Sequence, residues 1–365
     1  MNDHFPIKSS ARVAGAVAVW AVSFLFAPVG HGADPNLPPA VAAPIQQTRA
    51  DLLAGLPKGI CYSGFRQGQH PDRGDGAVNP GEKEILEDLH ILTRNGNFRM
   101  IRLYDSRTNS EVVLRLIKAH HLKLKVMLGA WLSAEIWNTN CPWLGPQLTR
   151  PVLDANKIKN AEEVQNAIRL ANQYRDIVVA VAVGNEALVS WNDHMVPVES
   201  VIGYVRQVKK AVTQPVTVCD NYDWWSHHGS ALAPELDFVS VHTYPLWEQK
   251  DIGQAMPYTI ANIQAVRNAL PQSRLVITEA GWATVAREFG PRADEAKQKQ
   301  YYQDLFVWTG KMNITTFFFE AFDEDWKGDP GDPLGAEKHW GLFTVDRKAK
   351  LALSNLYPDL KPVKP

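Results

Sequence analysis

Cysteine is scarce in this chain of 365 residues, which has three cysteines at irregular spacings. An odd, irregular set supplies neither a disulfide framework nor a zinc site. No glycine-rich phosphate loop and no Ser–His–Asp arrangement can be placed in the sequence. Basic residues do not alternate with aromatic residues, and the formal net charge is -1. Nucleic acid is therefore not an expected partner, and no metal or other cofactor is predicted.

The N-terminus has the pattern of an export signal. Lys8 and Arg12 precede a nearly continuous apolar stretch over 13–29, and the small residues of 30–33, interrupted by His31, precede Asp34. Two interpretations follow: a signal peptide over 1–33 that is cleaved, or an uncleaved anchor. The first predicts a secreted or periplasmic protein, and the second a membrane-anchored protein that faces outward. Membrane contact is expected only through this segment.

One catalytic domain is predicted for the rest of the chain. A leader rich in proline and alanine over 34–54 precedes a domain over 55–358, and a tail occupies 359–365. Apolar residues make up 45% of the chain, which is enough to bury one large core. We expect a monomer.

Short β-branched runs alternate with helical patterns along this domain. Alternation of this kind indicates a parallel sheet, and eight units within 55–358 predict an α/β fold closed as a (β/α)8 TIM barrel. The candidate strands are 59–62, 100–104, 124–128, 178–183, 216–219, 238–242, 275–278 and 315–319. The helical patterns are 82–94, 110–121, 162–174, 198–212, 260–270 and 293–311, and the weakest one falls in 221–236.

Two glutamates stand at the ends of apolar runs. Glu186 follows the run 178–183, and Glu279 follows the run 275–277. Chemistry in a β/α barrel lies at the carboxyl ends of the strands. Glycoside cleavage needs one carboxyl group to protonate the leaving oxygen and a second to attack the anomeric carbon or to activate water. The pair predicts the acid and nucleophile of a retaining glycosidase; the alternative, that each glutamate only closes a strand at the surface, is disfavoured by the apolar runs.

Tryptophan is concentrated after the predicted strands. Ten of the twelve tryptophans lie at strand ends or in the loops that follow them. An indole ring can pack on the apolar face of a sugar ring while its polar edge stays hydrated. We expect Trp282, Trp326 and one of Trp131 and Trp247 to serve as sugar platforms.

Seven ordered strings at successive strand ends resemble glycoside hydrolase family 17, the β-1,3-glucanase group of the retaining (β/α)8 clan. The resemblance spans most of residues 56–357. The strings are GICY (59–62), IRLYD (101–105), VGNE (183–186), VHTYP (241–245), TEAGW (278–282), EAFDEDWK (320–327) and WGLF (340–343).

The resemblance implies a role for several residues. Glu186 is implied to be the general acid/base and Glu279 the nucleophile. Tyr244 is implied to donate the hydrogen bond that keeps Glu279 ionised, and Asn185 to contact the sugar 2-hydroxyl group. The other residues that the resemblance places at the substrate are Tyr62, Tyr104, Asp105, His242, Trp282, Glu320, Phe322, Glu324, Trp326 and Lys327.

Two positions differ from plant members of the family. His242 precedes Tyr244 on the sixth strand, and Glu320 adds an acid at the eighth. The chain therefore resembles bacterial and fungal-wall members, some of which transfer glucan chains. Three functions remain open: hydrolysis of β-1,3-glucan, transglycosylation of β-1,3-glucan by the same two glutamates, and non-catalytic glucan binding. The third is disfavoured because both glutamates are present.

Overall fold

Eight parallel strands close into a barrel in chain order. The computed structural model describes residues 42–49, 52–72, 76–143 and 145–360. β8 pairs with β1 in parallel, with Phe317 opposite Gly59, so the sheet has no free edge. The predicted (β/α)8 fold is confirmed. The strands are β1 (Lys58–Cys61), β2 (Met100–Arg102), β3 (Lys125–Ala130), β4 (Val178–Asn185), β5 (Val216–Asn221), β6 (Val239–Thr243), β7 (Leu275–Gly281) and β8 (Thr316–Phe319).

Seven α-helices lie between the strands of the described chain. Two are longer than the sequence patterns predict: the third begins with a mostly exposed stretch that has Pro151 in its first turn, and the sixth contains Pro257. After β8 the described residues form turns and 3-10 helices in place of an eighth α-helix. The helices are α1 (Glu82–Thr93), α2 (Thr108–Ala119), α3 (Arg150–Gln173), α4 (Val198–Ala211), α5 (Tyr222–His228), α6 (Ile252–Ala269) and α7 (Glu295–Met312).

The described part of the predicted leader is held against the barrel. The Gln47 backbone N–H donates to the Met312 carbonyl at 2.9 Å. The Gln47 side chain donates to the Leu275 carbonyl at 2.9 Å and accepts from the Leu275 N–H at 2.7 Å and from Arg267 at 2.9 Å. Leu275 is the first residue of β7, so this strap contacts the end of the barrel opposite the carboxyl ends of the strands.

The predicted signal segment over 1–33 lies outside the described residues. Within the part of the chain that is described, no helix is both long enough and apolar enough to cross a membrane. All three cysteines, Cys61, Cys141 and Cys219, are buried free thiols. Cys61 and Cys219 belong to β1 and β5, as their apolar surroundings in the sequence predict.

Candidate active site

Glu186 directly follows β4, and its backbone is fixed in an uncommon conformation. Its φ angle is 46°, in the left-handed region, and Gly184, two residues earlier, has a φ angle of 88°. The Glu186 N–H donates to the Cys219 carbonyl at 2.8 Å, and the Glu186 carbonyl accepts from the Asn192 side chain. A non-glycine residue adopts positive φ only where its surroundings hold it there. The bent strand end therefore places the Glu186 side chain at a defined position.

Glu279 lies inside β7 and pairs across the sheet with His242 of β6. Both oxygens of its carboxylate have donors. Arg102 Nη1 donates to Oε1 at 2.5 Å, and the Tyr244 hydroxyl donates to Oε2. The second contact is the one that the family resemblance implies for Tyr244. These bonds hold the buried carboxylate in one orientation.

The surroundings of Glu279 lower the pKa of its carboxyl group. Burial alone would raise that pKa, but the positive charges of His242 and Arg102 outweigh the burial, and the hydrogen bond from Tyr244 adds to them. Glu279 is therefore ionised near neutral pH. An ionised carboxylate is the form that attacks as a nucleophile.

The two glutamates lie close together at the mouth of the barrel. One carboxylate oxygen of Glu186, one of Glu279 and a ring nitrogen of His242 all lie within 4.8 Å of one another. The Glu186 side chain is 27% exposed, whereas that of Glu279 is 6% exposed. Glu186 is thus accessible to solvent and to a leaving group, while Glu279 forms the floor of the site.

Arg102 is a residue of this site that the sequence reasoning did not single out. It is the last residue of β2 and is 1% exposed. One arm of its guanidinium reaches Glu279, and the other donates to the Asn185 side-chain oxygen. The Asn185 side-chain oxygen is therefore engaged, and its amide nitrogen is the side chain's remaining hydrogen-bonding group. The sequence does contain an indication of this role, because Arg102 stands at the end of an apolar strand and a buried charge requires a partner.

Asp220 was also missed. It lies in β5 next to Cys219 and is fully buried. Its carboxylate accepts from the backbone N–H of Leu188 at 3.0 Å and of Asn221 at 2.8 Å, so it supports the turn that follows Glu186. Burial raises the pKa of Asp220 to about 8, and the negative charge of Glu186 is the second cause of this rise.

A second acidic cluster follows β8. Lys327 Nζ lies 2.8 Å from Glu320 and 2.6 Å from Glu324. Glu324 also accepts from the Ser63 hydroxyl and, at 3.1 Å, from Trp326 Nε1. Burial raises the pKa of Glu320 well above its ordinary value, whereas Lys327 outweighs burial and lowers the pKa of Glu324. The pKa values of the two acids are therefore shifted in opposite directions around one lysine.

Three aromatic residues assigned to the substrate are packed inside the protein. Trp282 is 0% exposed and its Nε1 donates to the Arg292 carbonyl at 3.0 Å, so the structure offers no indole face for a sugar at this position. Tyr62 is buried and donates to Asp88 at 3.3 Å. Phe322 is buried, with its ring 6.1 Å from that of Tyr62. These assignments are corrected: the three side chains form the packing beneath the site.

Tyr104 and Asp105 take two different positions. Tyr104 is partly exposed and its ring lies under the Arg102 guanidinium at 4.5 Å. Asp105 accepts from the Ser110 hydroxyl at 2.7 Å and from the Arg107 N–H at 3.2 Å, which stabilises the start of α2. Tyr104 therefore supports the cation that holds Glu279, and Asp105 has a local structural role.

The other tryptophans predicted as sugar platforms keep exposed surface. Trp326 and Trp131 are partly exposed, and Trp247 is 40% exposed. Trp131 packs on His194, with ring centroids 4.6 Å apart, and His194 Nε2 lies 2.9 Å from the Asn185 carbonyl. An exposed indole is thus linked to the strand end that carries Glu186.

A closed (β/α)8 barrel with an ionised glutamate inside β7 and a second glutamate after β4 defines a barrel glycoside hydrolase. The comparison with known families is more specific. The chain belongs to the BtgE/BtgC glycoside hydrolase domain family, whose model matches residues 59–341. This confirms the resemblance to the glycoside hydrolase family 17 group that the sequence strings indicate.

Individual relatives agree with this assignment. The chain is 28% identical over 288 residues to a glucan 1,3-beta-glucosidase of Arthroderma benhamiae, and the match covers 74% of this chain and 83% of that protein. Relatives named btgC in Aspergillus are longer, and the chain spans 40% of their length.

Solved structures show the same fold. An endo-laminarinase from Formosa is similar with a TM-score of 0.70 and 27% identity, and the match covers 82% of this chain and 86% of that one. A glycoside hydrolase family 17 beta-1,3-glucanosyltransferase from Rhizomucor miehei has a TM-score of 0.62 at 22% identity, over 80% of this chain and 95% of that one.

Proposed function

We propose that this protein cleaves β-1,3-glucan by double displacement with retention of anomeric configuration. The observation that carries the proposal is the pair of carboxylates of Glu186 and Glu279, which have oxygens within 4.8 Å of each other. Retaining glycosidases hold their two carboxyl groups about 5–5.5 Å apart, whereas inverting enzymes leave about 6.5–9.5 Å for a water molecule. The short separation favours direct attack by Glu279 on the sugar.

In the first step the Glu279 carboxylate forms a bond to the anomeric carbon. The bond from that carbon to the glycosidic oxygen breaks, and Glu186 gives its proton to the departing oxygen. Arg102 and Tyr244 hold Glu279 in its orientation during the attack. In this mechanism the Asn185 amide donates to the sugar 2-hydroxyl group, a hydrogen bond that strengthens in the transition state.

In the second step Glu186, now a carboxylate, takes a proton from the incoming nucleophile. The oxygen of that nucleophile bonds to the anomeric carbon and releases Glu279. Water gives hydrolysis. A hydroxyl group of another glucan gives transfer through the same intermediate, so the lengths of the products distinguish the two reactions.

The substrate assignment is supported by the relatives. Proteins similar to this chain are named as a glucan 1,3-beta-glucosidase and an endo-laminarinase. The exposed faces of Trp131, Trp247 and Trp326 near the strand ends fit the apolar faces of glucose rings.

The experiment is product analysis with a laminari-oligosaccharide of defined length, read by mass spectrometry. Shorter products alone support hydrolysis, products longer than the substrate identify a transglycosylase, and no reaction contradicts the β-1,3-glucan assignment. Glu186→Gln and Glu279→Ala should each abolish turnover. Glu135→Gln is the matched control, because Glu135 is also buried after a strand but is bonded to Asn160 and Tyr204. Turnover near that of the wild type in either catalytic variant contradicts the mechanism.

We also propose that the chain is exported and acts as a monomer. The support for export is the basic and apolar pattern of residues 8–33. Mass spectrometry of the protein recovered from its producing cells tests it. A chain that begins at Asp34 indicates a cleaved signal, an intact chain held in membranes indicates an anchor, and an intact cytoplasmic chain contradicts export. Light scattering of the purified protein tests the monomer.

A further inference from the structure

His242 is placed where the charge of the reaction moves. Its imidazole is fully buried, and Nδ1 lies 3.0 Å from Glu186 Oε1 and 3.5 Å from Glu279 Oε2. An ionised Glu279 can only accept, and a carboxyl group at Glu186 also has an accepting oxygen, so a hydrogen on Nδ1 has an acceptor on each of the two residues. One ring nitrogen is therefore within reach of both catalytic groups.

The other donors in the site do not share this position. Arg102 and Tyr244 donate to Glu279. Among the described residues, His242 is the only side chain with a hydrogen bond to the Glu186 carboxyl group. When Glu279 is joined to the sugar it is neutral, and the negative charge then resides on Glu186 after its proton has left. The site must stabilise the same charge at two positions in turn.

We propose that His242 is a positioning residue that stays protonated through the cycle and holds a fixed positive charge between the two glutamates. Nδ1–H stays directed at Glu186, while the positive charge of the ring stabilises the Glu279 carboxylate in the resting enzyme and the Glu186 carboxylate in the glycosyl-enzyme. No proton leaves His242 in either step, because Glu186 supplies and recovers the proton that the sugar oxygens exchange. This inference rests on the proposed function of the two glutamates.

The local electrostatics agree with a charged imidazole. Burial lowers the pKa of His242, but the charge of Glu279 and the contact with Glu186 outweigh it and raise that pKa to about 10. The titratable groups that act on the ring are Glu186 after β4, Cys219 and Asp220 of β5 and Glu279 of β7. Arg102 of β2 and Tyr244 after β6 act on Glu279, to which both donate.

The substitution His242→Gln tests the charge, because glutamine keeps an N–H donor and loses the positive charge. We expect the pKa of Glu279 to rise, so that the acidic limb of kcat/KM moves to higher pH by about 1–3 units, the range for loss of a neighbouring opposite charge. Thr243→Ala is the matched control: Thr243 is the next residue of β6, is equally buried, and binds Asn262. We expect this control to keep the acidic limb of the wild type.

A purely structural role for His242 would lower kcat and leave the acidic limb in place, and that result would overturn the inference. A second measurement does not depend on turnover. In the full chain labelled with 15N-histidine, the ring signals lost in His242→Gln should be those of an imidazolium at about pH 7. Signals of a neutral ring would overturn the inference. Failure of the wild type to cleave any laminari-oligosaccharide would instead refute the proposed function. The NMR measurement of the His242 ring would still give a result in that case, because it does not require turnover.

Discussion

Removal of the Arg102 guanidinium should destabilise the barrel through Glu279. The two side chains are 1% and 6% exposed, so solvent screens their interaction little. Removing one partner of a buried ion pair costs about 3–5 kcal/mol, because the other charge stays buried without its partner. His242 and Tyr244 remain beside Glu279, so we expect Arg102→Gln to lower the free energy of unfolding by about 3 kcal/mol at neutral pH.

A double-mutant cycle separates this charge effect from packing. In Glu279→Gln the buried negative charge is absent, and Arg102 is itself a buried charge without its partner. Arg102→Gln in that background loses hydrogen bonds to Thr278 and Asn185 but also removes the unpaired cation, so it should cost no more than about 1 kcal/mol. Denaturant unfolding of the four chains gives the coupling energy, which we expect to be about 2 kcal/mol or more.

The pH dependence of this effect has a definite sign. In the wild type the folded-state pKa of Glu279 is lowered, so its stabilising contribution is present above the unfolded pKa and is lost as the pH falls. In Arg102→Gln that pKa rises, and protonation removes the unpaired buried charge. The stability difference between the two chains should therefore shrink as the pH falls. Equal destabilisation by Arg102→Gln in both backgrounds, within about 0.5 kcal/mol, would refute the reasoning.

Three other substitutions have defined outcomes. Tyr244→Phe removes a hydrogen bond to the charged Glu279, worth about 1.5–3 kcal/mol. The pKa of Glu279 should therefore rise and move the acidic limb of kcat/KM to higher pH by about 1–2 units; an acidic limb at the wild-type pH would contradict the role of Tyr244 in keeping Glu279 ionised. Gln47→Ala leaves the Leu275 N–H without its acceptor and should cost about 1–3 kcal/mol in unfolding experiments without changing kcat/KM, because the strap lies opposite the site. Gly281→Ala should impair folding, because a Cβ there would overlap the Phe319 carbonyl; soluble protein with a wild-type melting temperature would contradict this.

Much of the fold could be predicted because buried strands and amphipathic helices leave different periods in the sequence. All eight strands occur close to their predicted positions. The helices were predicted less well where the period is interrupted. Residues 150–161 are mostly exposed, and their apolar residues, among them Val152 and Ile158, do not form a regular apolar face that would predict the first half of α3. In α6, Pro257 argues against a helix over the first half.

The two glutamates could be found because each stands alone beside an apolar strand. Their partners could not. Arg102 reaches Glu279 across 177 positions of the sequence, and no local pattern reports such a contact. The local sequence also does not predict which aromatic residues are buried. Trp282 and Trp247 both follow strands, but Trp282 is enclosed by the chain around Arg292, whereas Trp247 is 40% exposed. The closure of the barrel determines both outcomes.

The anomeric configuration of the first product tests the central claim most directly. Proton NMR at early times, before mutarotation, should show the β anomer released from a β-1,3-glucan oligosaccharide, because two inversions at the same carbon restore the starting configuration. Glu135→Gln should give the same anomer, which controls for changes elsewhere at the mouth of the barrel. Release of the α anomer would show a single displacement by water and contradict the assignment of Glu279 as the nucleophile.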